Sequence, residues 1–280
     1  MPAPRAEKPV TTLAELGEFG LLAELERRGL AEGIEHDATV VEGLVVTQDA
    51  LIEGVHFRFD LLGWRELGAR AAAVNLSDLA ASGAEPLGLL VSLGLPPETE
   101  LEDVLELYAG LNERGVPVRG GDTTRADRVV LSVSALGRAD RVPGRAGARA
   151  GDLLIVTGPL GAAGAAFREG RLPSVPYRVA EGKRLARVAT AMLDISDGLA
   201  RDAGHLAARS GVGLAIELES VPLASGAELD DAGFGEDYEL LATTPDPLGF
   251  PVIGRVEEGE GVELTLRGEP YSLAGWEHFR

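Results

Sequence analysis

The sequence contains no cysteine among its 280 residues. This absence excludes a disulfide framework, a zinc site built on thiolates and a cysteine nucleophile. The sequence also has no run of apolar residues long enough to cross a bilayer, and residues 1–10 lack the apolar core of a signal peptide. We therefore expect a cytoplasmic protein that has no membrane partner.

Positive charge is scarce in the chain. Lysine and arginine total 26 against 45 aspartates and glutamates, so the net charge is −19, and Lys8 and Lys183 are the only lysines. Nucleic acid is disfavoured as a partner because phosphate contacts need clustered basic residues. Phosphorylated small molecules stay compatible with this balance if metal ions mediate the contact.

Hydrophobic spacing and turn residues predict helices and strands in alternation along the chain. Helices are predicted at residues 12–28, 63–82, 98–114 and 179–191, and strands at 39–41, 44–46, 87–95, 129–135, 153–157, 213–218 and 251–256. Thr12 is the expected N-cap of the first helix, and Gly29 is its expected end. Residues 140–150 carry a proline, two glycines and three arginines, which indicates a crossover between two halves, residues 1–140 and 141–280.

Residues 192–199 form the stretch around which the chain is organised. Asp194 and Asp197 lie where a buried strand is predicted to meet a helix. A carboxylate pair in such a place needs a cation or a hydrogen-bonded partner. The alternative is that Ser196 or Asp197 simply caps the helix, because Ser and Asp are favoured N-caps.

Four more aspartates have a similar setting at the ends of elements or among small residues. Asp49 is expected in a loop after a strand, and Asp78 shares a helix face with Asn75. Two glycines, at 120 and 121, would allow a bend that exposes Asp122, although a hairpin turn is the alternative. The complete set is Asp37, Asp49, Asp78, Asp122, Asp194 and Asp197.

Six convergent carboxylates would repel one another unless hard cations lay among them. Ligands that are all oxygen favour magnesium or manganese over zinc. Magnesium in proteins usually joins one or two carboxylates to substrate phosphates. The set therefore indicates a nucleotide enzyme of metal-dependent phosphoryl transfer, although the chain has no Walker or protein-kinase motif. A glycine-rich turn at 158–164 suggests a phosphate cradle, but its spacing matches no known fingerprint.

Five motifs in one order resemble the thiamine-monophosphate kinases, within the wider superfamily of aminoimidazole ribonucleotide synthetase and selenophosphate synthetase. They lie at residues 47–57, 73–81, 120–124, 194–199 and 235–240. The resemblance implies a two-domain α/β (α+β) protein of the aminoimidazole ribonucleotide synthetase-like fold. Its N-terminal sheet domain would form a dimeric barrel, and its C-terminal half would be an αβ sandwich. It further implies ATP-dependent phosphorylation of thiamine monophosphate to thiamine diphosphate, with several magnesium ions.

The resemblance also assigns expected roles to individual residues. Expected magnesium ligands are Asp37, Thr47, Asp49, Asp78, Asp122, Asp194 and Asp197; expected ATP contacts are Gly121, Asp122, Arg145 and Ser196; expected contacts to the thiamine side are His56, Glu236 and Trp276. No general base is expected, because the attacking oxygen belongs to a phosphate whose second pKa is about 6. The other histidines, His36, His205 and His278, are expected to be packing or surface residues.

Two departures from the family pattern leave alternatives open. His36 replaces the first aspartate of a Gly-Asp-Asp motif, and Gln48 replaces a residue that often carries a hydroxyl. One alternative is a superfamily relative that activates a different acceptor with ATP. The other is a nucleotide-binding protein without catalysis.

Overall fold

The computed structural model describes residues 12–32 and 36–276. The turn predicted at 33–35 and the end of the aromatic tail, including His278, lie outside these residues. The described chain is a mixed α/β protein with two sheets of five and seven strands. In the described residues, no helix is both long enough and apolar enough to cross a membrane.

The first sheet is built by the first half of the chain. Its elements are α1 (Leu13–Arg27), β1 (Thr39–Val41), β2 (Leu44–Ile52), α2 (Trp64–Ala81), β3 (Glu85–Leu95), α3 (Leu101–Leu111), β4 (Val118–Arg125) and β5 (Val130–Arg138). The strand order is β1-β2-β5-β3-β4, antiparallel except for the parallel pair β3–β4. Every second residue of β5 is buried, which places one face of the sheet against α2.

The second sheet is built by the second half. Its elements are β6 (Leu153–Val156), α4 (Ala162–Arg168), α5 (Val179–Leu185), β7 (Ala191–Asp194), α6 (Leu199–Ser210), β8 (Gly213–Glu217), β9 (Leu240–Thr244), β10 (Val252–Glu257), β11 (Gly261–Leu266) and β12 (Glu269–Pro270). The strand order is β12-β11-β8-β10-β6-β9-β7, and only β8 and β11 are parallel. The edge strand β7 ends at Asp194.

Helix α2 joins the cores of the two halves. Its middle residues pack into the core of the first sheet, whereas Ala80 and Ala81 pack with Met192 and Leu240 of the second half. A Cβ placed on Gly182 of α5 would lie 2.0 Å from the carbonyl oxygen of Ala80. Only glycine therefore allows α5 and the end of α2 to approach this closely.

Most predicted elements are confirmed, with boundary shifts. The first helix begins after Thr12, whose backbone N–H donates to Glu15 Oε2 across 2.9 Å, as in a capping box. The helix predicted at 179–191 ends at Leu185, so the prediction was too long. Strands β11 and β12 were not predicted: β12 is only two residues long, whereas the alternating apolar residues of β11 were a signal that the sequence reasoning missed.

Two loop predictions were wrong. Asp49 lies inside β2, because β2 continues to Ile52 and pairs with β5 along that length. Residues 118–125 form the edge strand β4 instead of a bend or a hairpin turn. Gly121 is required there because a Cβ would lie 1.8 Å from the carbonyl oxygen of Val91 on the neighbouring strand.

Candidate active site

Helix α2 carries the polar side chains that begin the site. The helix forms because twelve of its 18 residues are alanine, leucine, glutamate or arginine, which have high helix propensity, and the Gly63 N–H donates to Glu66 Oε2 across 2.6 Å at its start. Asn75 is fully buried, and its Oδ1 accepts the backbone N–H of Asp49 across 3.2 Å. This bond ties α2 to β2 beside the acidic side chains.

Three carboxylates from distant parts of the chain meet at the end of β7. Oxygen atoms of Asp37, Asp78 and Asp194 all lie within 4.8 Å of one another, and we call these three residues the acidic cluster. Thr47 Oγ1 contacts both of the first two, because it donates to Asp78 Oδ2 and lies 3.0 Å from the Asp37 carbonyl oxygen. Ser77 Oγ donates to Asp194 Oδ2 across 2.5 Å.

Burial and mutual repulsion raise the pKa of the carboxyl groups in and beside the acidic cluster. Burial, and then the charge of Asp37, raises the pKa of Asp194 to about 7. Burial and the charges of Asp49, Asp194 and Asp37 hold the pKa of Asp78 well above its ordinary value. The pKa of Asp49 rises to about 6, first through burial and then through Asp37. A divalent cation would compensate this charge, and the all-oxygen donor set fits Mg²⁺.

Arg145 supplies the one positive charge that is hydrogen-bonded to the cluster in the described residues. Its Nη2 lies 2.5 Å from Asp37 Oδ1, and its Nε donates to the same oxygen across 3.0 Å. Burial is the largest single influence and disfavours the charged guanidinium, but the charge and hydrogen bond of Asp37 together with the charges of Asp194 and Asp202 outweigh it and raise the pKa of Arg145. His36 Nδ1 accepts the backbone N–H of Arg145 across 3.0 Å, so this histidine holds the crossover segment.

Gly121 and Asp122 lie on the far edge of the first sheet. The register places Asp49, Val133, Val91 and Gly121 in one row across four strands, so β2 and β4 are about 14 Å apart at the usual strand spacing. Asp122 pairs with exposed Ser92, so its side chain lies on the open face of the sheet. Within one chain, therefore, the structure does not bring Asp122 to the acidic cluster.

A cavity of about 590 Å³ lies beside β4. Its lining includes Tyr108 and Asn112 together with residues 118–123. Sequence reasoning did not select Tyr108 or Asn112, because they lie on and just after an ordinary amphipathic helix. Only the fold brings these two residues to the same cavity as β4. Gly121 and Asp122, which sequence reasoning did select, line this cavity instead of the acidic cluster.

Asp197 belongs to a second group of possible ligands at the start of α6. Ligand atoms of Asp197, Asp202 and His205 lie within 4.8 Å of one another. Asp202 Oδ2 accepts the backbone N–H groups of Asp197 and Gly198, across 2.9 and 3.0 Å. The helix is thus capped by Asp202 with Gly198 at the N-cap, and the alternative that Ser196 or Asp197 is the cap does not hold. Burial, followed by nearby arginines, lowers the pKa of His205 to about 4.

The residues expected on the thiamine side have three different settings. Glu236 pairs with the buried Arg70 across 2.6 Å. His56 Nδ1 accepts the backbone N–H of Ile52 across 3.1 Å, in the turn after β2. Trp276 is 54% exposed, and its backbone N–H donates to the Asp197 carbonyl across 3.0 Å. Trp276 and Glu236 are thus both held by the segment that follows β7, because Ser196 accepts the Glu236 N–H across 2.7 Å.

The glycine-rich turn at 158–164 is not a phosphate cradle, so that prediction was wrong. Asp237 Oδ2 accepts the Gly161 N–H across 2.8 Å, and Ala162 and Ala163 also donate their N–H groups to this carboxylate. Burial raises the pKa of Asp237 to about 6, although these hydrogen bonds act in the opposite direction. A carboxylate of the chain itself therefore takes the place that an anion would need.

The fold and the site define a class of protein. Two sheets joined by one helix give the chain a mixed α/β fold of the kind found in proteins related to aminoimidazole ribonucleotide synthetase. Residues 35–139 match the family model described as "AIR synthase related protein, N-terminal domain".

Comparison with curated proteins gives the particular family. The thiamine-monophosphate kinase of Aquifex aeolicus is 35% identical over 95% of this chain and 99% of its own length. That of Mycobacterium tuberculosis is 33% identical over 96% of this chain and 93% of its own. The chain belongs to the thiamine-monophosphate kinase family.

Solved structures agree with this assignment. A structure of AaThiL complexed with AMPPCP and TMP superposes with a TM-score of 0.87 at 35% identity, covering 96% of this chain and 99% of that one. The protein tt0281 from Thermus thermophilus has a TM-score of 0.74 at 31% identity, covering 93% of this chain and all of its own. The hydrogenase maturation protein HypE of E. coli, 22% identical with a TM-score of 0.66, shares the fold alone.

Proposed function

We propose that this protein phosphorylates thiamine monophosphate with ATP to form thiamine diphosphate. The observation that carries the proposal is the acidic cluster, in which three carboxylates from both halves meet within 4.8 Å. Burial and repulsion raise the pKa of Asp194 to about 7, which is costly unless the cluster binds cations. Relatives named thiamine-monophosphate kinase, and a neighbour solved with AMPPCP and TMP, support this pair of substrates.

The chemistry needs positioning and neutralisation more than proton transfer. A phosphate monoester has a second pKa of about 6, so its attacking oxygen is mostly ionised at neutral pH without a general base. The γ-phosphoryl group of ATP then passes directly to that oxygen in line, and no phosphoenzyme forms. The obstacle is repulsion between two polyanions, which fixed charges in the site must offset.

The residues that would hold magnesium form two groups. Asp37, Asp78 and Asp194, with Thr47 and Asp49 beside them, offer buried oxygen ligands, and Asp197 offers a further one at the start of α6. Bound Mg²⁺ supplies charge neutralisation for the phosphates. The chain's own part is to hold these oxygens fixed through Ser77, Thr47 and Arg145.

ATP would contact Gly121, Asp122, Arg145 and Ser196, of which the first two lie on the far edge of the sheet. A homodimer through the N-terminal sheets would reconcile this separation, because the partner's edge strand could approach the acidic cluster. Exposed apolar side chains on the first sheet support such an interface: Val40, Val41, Leu87 and Leu90 are 55, 54, 40 and 41% exposed. We include in the proposal a dimeric barrel formed by two such sheets. We also propose that residues 1–140 and 141–280 are the two domains and that the protein is cytoplasmic.

The acceptor would be recognised through His56, Glu236 and Trp276. Thiamine carries a cationic thiazolium and a flat pyrimidine, which suit a carboxylate and an exposed aromatic face. Trp276 offers such a face because it is 54% exposed. Glu236 offers a carboxylate that is one third exposed.

The decisive experiment measures thiamine diphosphate formation by the purified protein with thiamine monophosphate, ATP and Mg²⁺. We expect product formation that stops when EDTA is added and returns with excess Mg²⁺. Thiamine and aminoimidazole-type acceptors serve as controls for acceptor choice and should not be phosphorylated. Absence of thiamine diphosphate refutes the proposal, and a labelled phosphoenzyme formed from ATP alone refutes direct transfer.

A further inference from the structure

Arg70 is a buried arginine of α2 that links two segments of the second half of the chain. Its side chain is 6% exposed, and its Nη2 donates to Glu236 Oε2 across 2.6 Å. Its Nη1 donates to the carbonyl oxygen of Pro173 across 3.2 Å. A guanidinium removed from water needs a carboxylate partner, and within the described residues Glu236 is the one that Arg70 has.

Glu236 lies in a backbone conformation that side chains rarely adopt. Its φ is 59°, and Tyr238 has a φ of 51°, so both are in the left-handed region. Two hydrogen bonds hold this segment to the one that follows β7: the Glu236 N–H donates to Ser196 and the Tyr238 N–H to Ile195, across 2.7 and 2.8 Å. Such strain persists where surrounding contacts over-determine the geometry, often at functional sites.

Arg70 and Ser77 bind the same part of the second half from one side of α2. They are seven residues apart, which is about two helical turns or about 10 Å along the axis, so their side chains share a face. Ser77 binds Asp194 and Arg70 binds Glu236, and the segments of these two acidic residues are hydrogen-bonded to each other. One rigid helix therefore sets the separation between Glu236 and the acidic cluster.

We propose that Arg70 is a positioning residue that fixes the carboxylate of Glu236 for the thiamine side of the acceptor. This inference rests on the proposed function, because the contact between Glu236 and the acceptor is part of that function. Oε2 of Glu236 is taken by Arg70, and its side chain is 33% exposed. Arg70 binds Oε2, so Oε1 is the oxygen that remains for the acceptor.

The ion pair also determines the charge that the acceptor meets. Paired with Glu236, the guanidinium of Arg70 presents no net positive charge to a cationic thiazolium. If Glu236 is neutral, the buried guanidinium stays charged and repels that ring. Loss of the carboxylate should therefore weaken acceptor binding more than loss of Arg70, which leaves the carboxylate present but free to move.

The test compares Arg70→Met, Arg70→Lys, Glu236→Gln and the double variant Arg70→Met/Glu236→Gln in steady-state assays. Arg70→Met should raise KM for thiamine monophosphate about tenfold, as expected for one lost charged hydrogen bond. KM for ATP should change less than about twofold, because a substitution distant from a bound substrate usually affects its binding no more than this. Arg70→Lys keeps the charge and should restore most of the acceptor KM.

A matched control is available in Arg114→Met. Arg114 donates to the carbonyl of Val175 across 3.1 Å and lies over the Tyr177 ring at 5.4 Å. It therefore contacts the connection between α4 and α5, to which Pro173 also belongs, and makes no hydrogen bond to Glu236. This variant should leave both KM values unchanged. The double variant should raise the acceptor KM less than Glu236→Gln alone, because it also removes the unpaired guanidinium that repels the thiazolium.

Several results would overturn the inference. They are an unchanged acceptor KM in Arg70→Met, equal increases in both KM values, effects that multiply in the double variant, or an Arg114→Met variant that behaves like Arg70→Met. If Arg70→Met fails to fold, Arg70→Lys and Glu236→Gln still give the comparison. If the unaltered protein phosphorylates thiamine monophosphate but Glu236→Gln leaves the acceptor KM unchanged, this inference alone is refuted. If the unaltered protein has no kinase activity, the proposed function is refuted.

Discussion

Ser77 of α2 donates a 2.5 Å hydrogen bond to Asp194 at the end of β7, 117 residues later in the chain. The two residues belong to opposite halves, and both are buried. A hydroxyl that donates to a buried carboxylate stabilises its charged form. The bond therefore both joins the halves and favours an ionised Asp194, although burial and the charge of Asp37 together act more strongly in the other direction.

We expect the metal-free protein to lose thermal stability as the pH rises from about 4 to about 7. The folded pKa of Asp194 is about 7, above its ordinary value of 3.8, so over this window the unfolded chain binds fewer protons. Stability then decreases as the pH rises through the window, and the loss is complete above the folded pKa. The shift is about three pKa units at about 1.4 kcal/mol each, so the melting temperature should fall by roughly 10 °C.

Differential scanning fluorimetry in EDTA and in Mg²⁺ measures this effect. Mg²⁺ should raise the melting temperature more at pH 7.5 than at pH 5, because ionised carboxylates bind it better. A melting temperature in EDTA that increases from pH 5 to pH 7.5 would contradict the assignment of a raised pKa to the acidic cluster.

Asp194→Asn should increase the stability of the metal-free protein and decrease its activity. The amide keeps an oxygen that can accept the Ser77 hydrogen bond and removes one of three mutually repelling charges. The melting temperature in EDTA should therefore rise, the stabilisation by Mg²⁺ should shrink, and kcat/KM should fall at least about 100-fold. Asp140→Asn is the matched control, because this exposed aspartate of the crossover lies away from the cluster and should change neither quantity. Full activity in Asp194→Asn would show that the cluster does not serve catalysis.

Trp276→Ala should affect the acceptor and leave ATP unaffected. An exposed indole face that stacks on a cationic or flat ring contributes about 1–2 kcal/mol, so KM for thiamine monophosphate should rise roughly tenfold. Trp276→Phe keeps an aromatic face and should recover most of the loss. Steady-state kinetics with each substrate varied in turn provide the measurement, and equal effects on both KM values would remove the stacking role.

Gly182→Ala should destabilise the protein at the contact between its halves. The added Cβ would lie 2.0 Å from the Ala80 carbonyl, so α5 and α2 must separate. Overpacking of this kind costs about 1–3 kcal/mol. Gly204→Ala is the control: it lies on α6 with nothing within 4 Å of the new Cβ, and should stabilise by about 0.5–1 kcal/mol. Urea unfolding of both variants gives the two free energies, and similar values would contradict close helix packing.

Local patterns in the sequence predicted most of the elements around the site. Helix α2 and the junction from β7 to α6 were predicted because apolar spacing and glycine placement are local signals. Strand β4 was misassigned because two adjacent glycines favour a turn when the chain is considered alone. Pairing with β3 overrides that preference, and Gly121 is required for the close approach of Val91.

The partners of the polar groups could not be predicted, because each depends on a residue far away in the chain. Asp237 binds the backbone N–H groups at the N-terminus of α4, where the glycine-rich turn had suggested a phosphate. No pattern in the sequence marked Arg70 as a buried residue, because it lies in a helix rich in small residues. It is nevertheless buried against Glu236, 166 residues later. Charge and burial identify such pairs only after the fold has brought them together.

By itself, the sequence determined the family, the order of its motifs and the junction at which Asp194 ends a buried strand, because these are properties of short segments. Only the tertiary structure decided which aspartates meet. Asp37, Asp78 and Asp194 converge because α2 packs against both sheets, whereas Asp122 lies three strands away from Asp49 and on the opposite face. The physical reason is that carboxylate repulsion, burial and the raised pKa values depend on distances that strand order and helix packing set, and no local pattern encodes those distances.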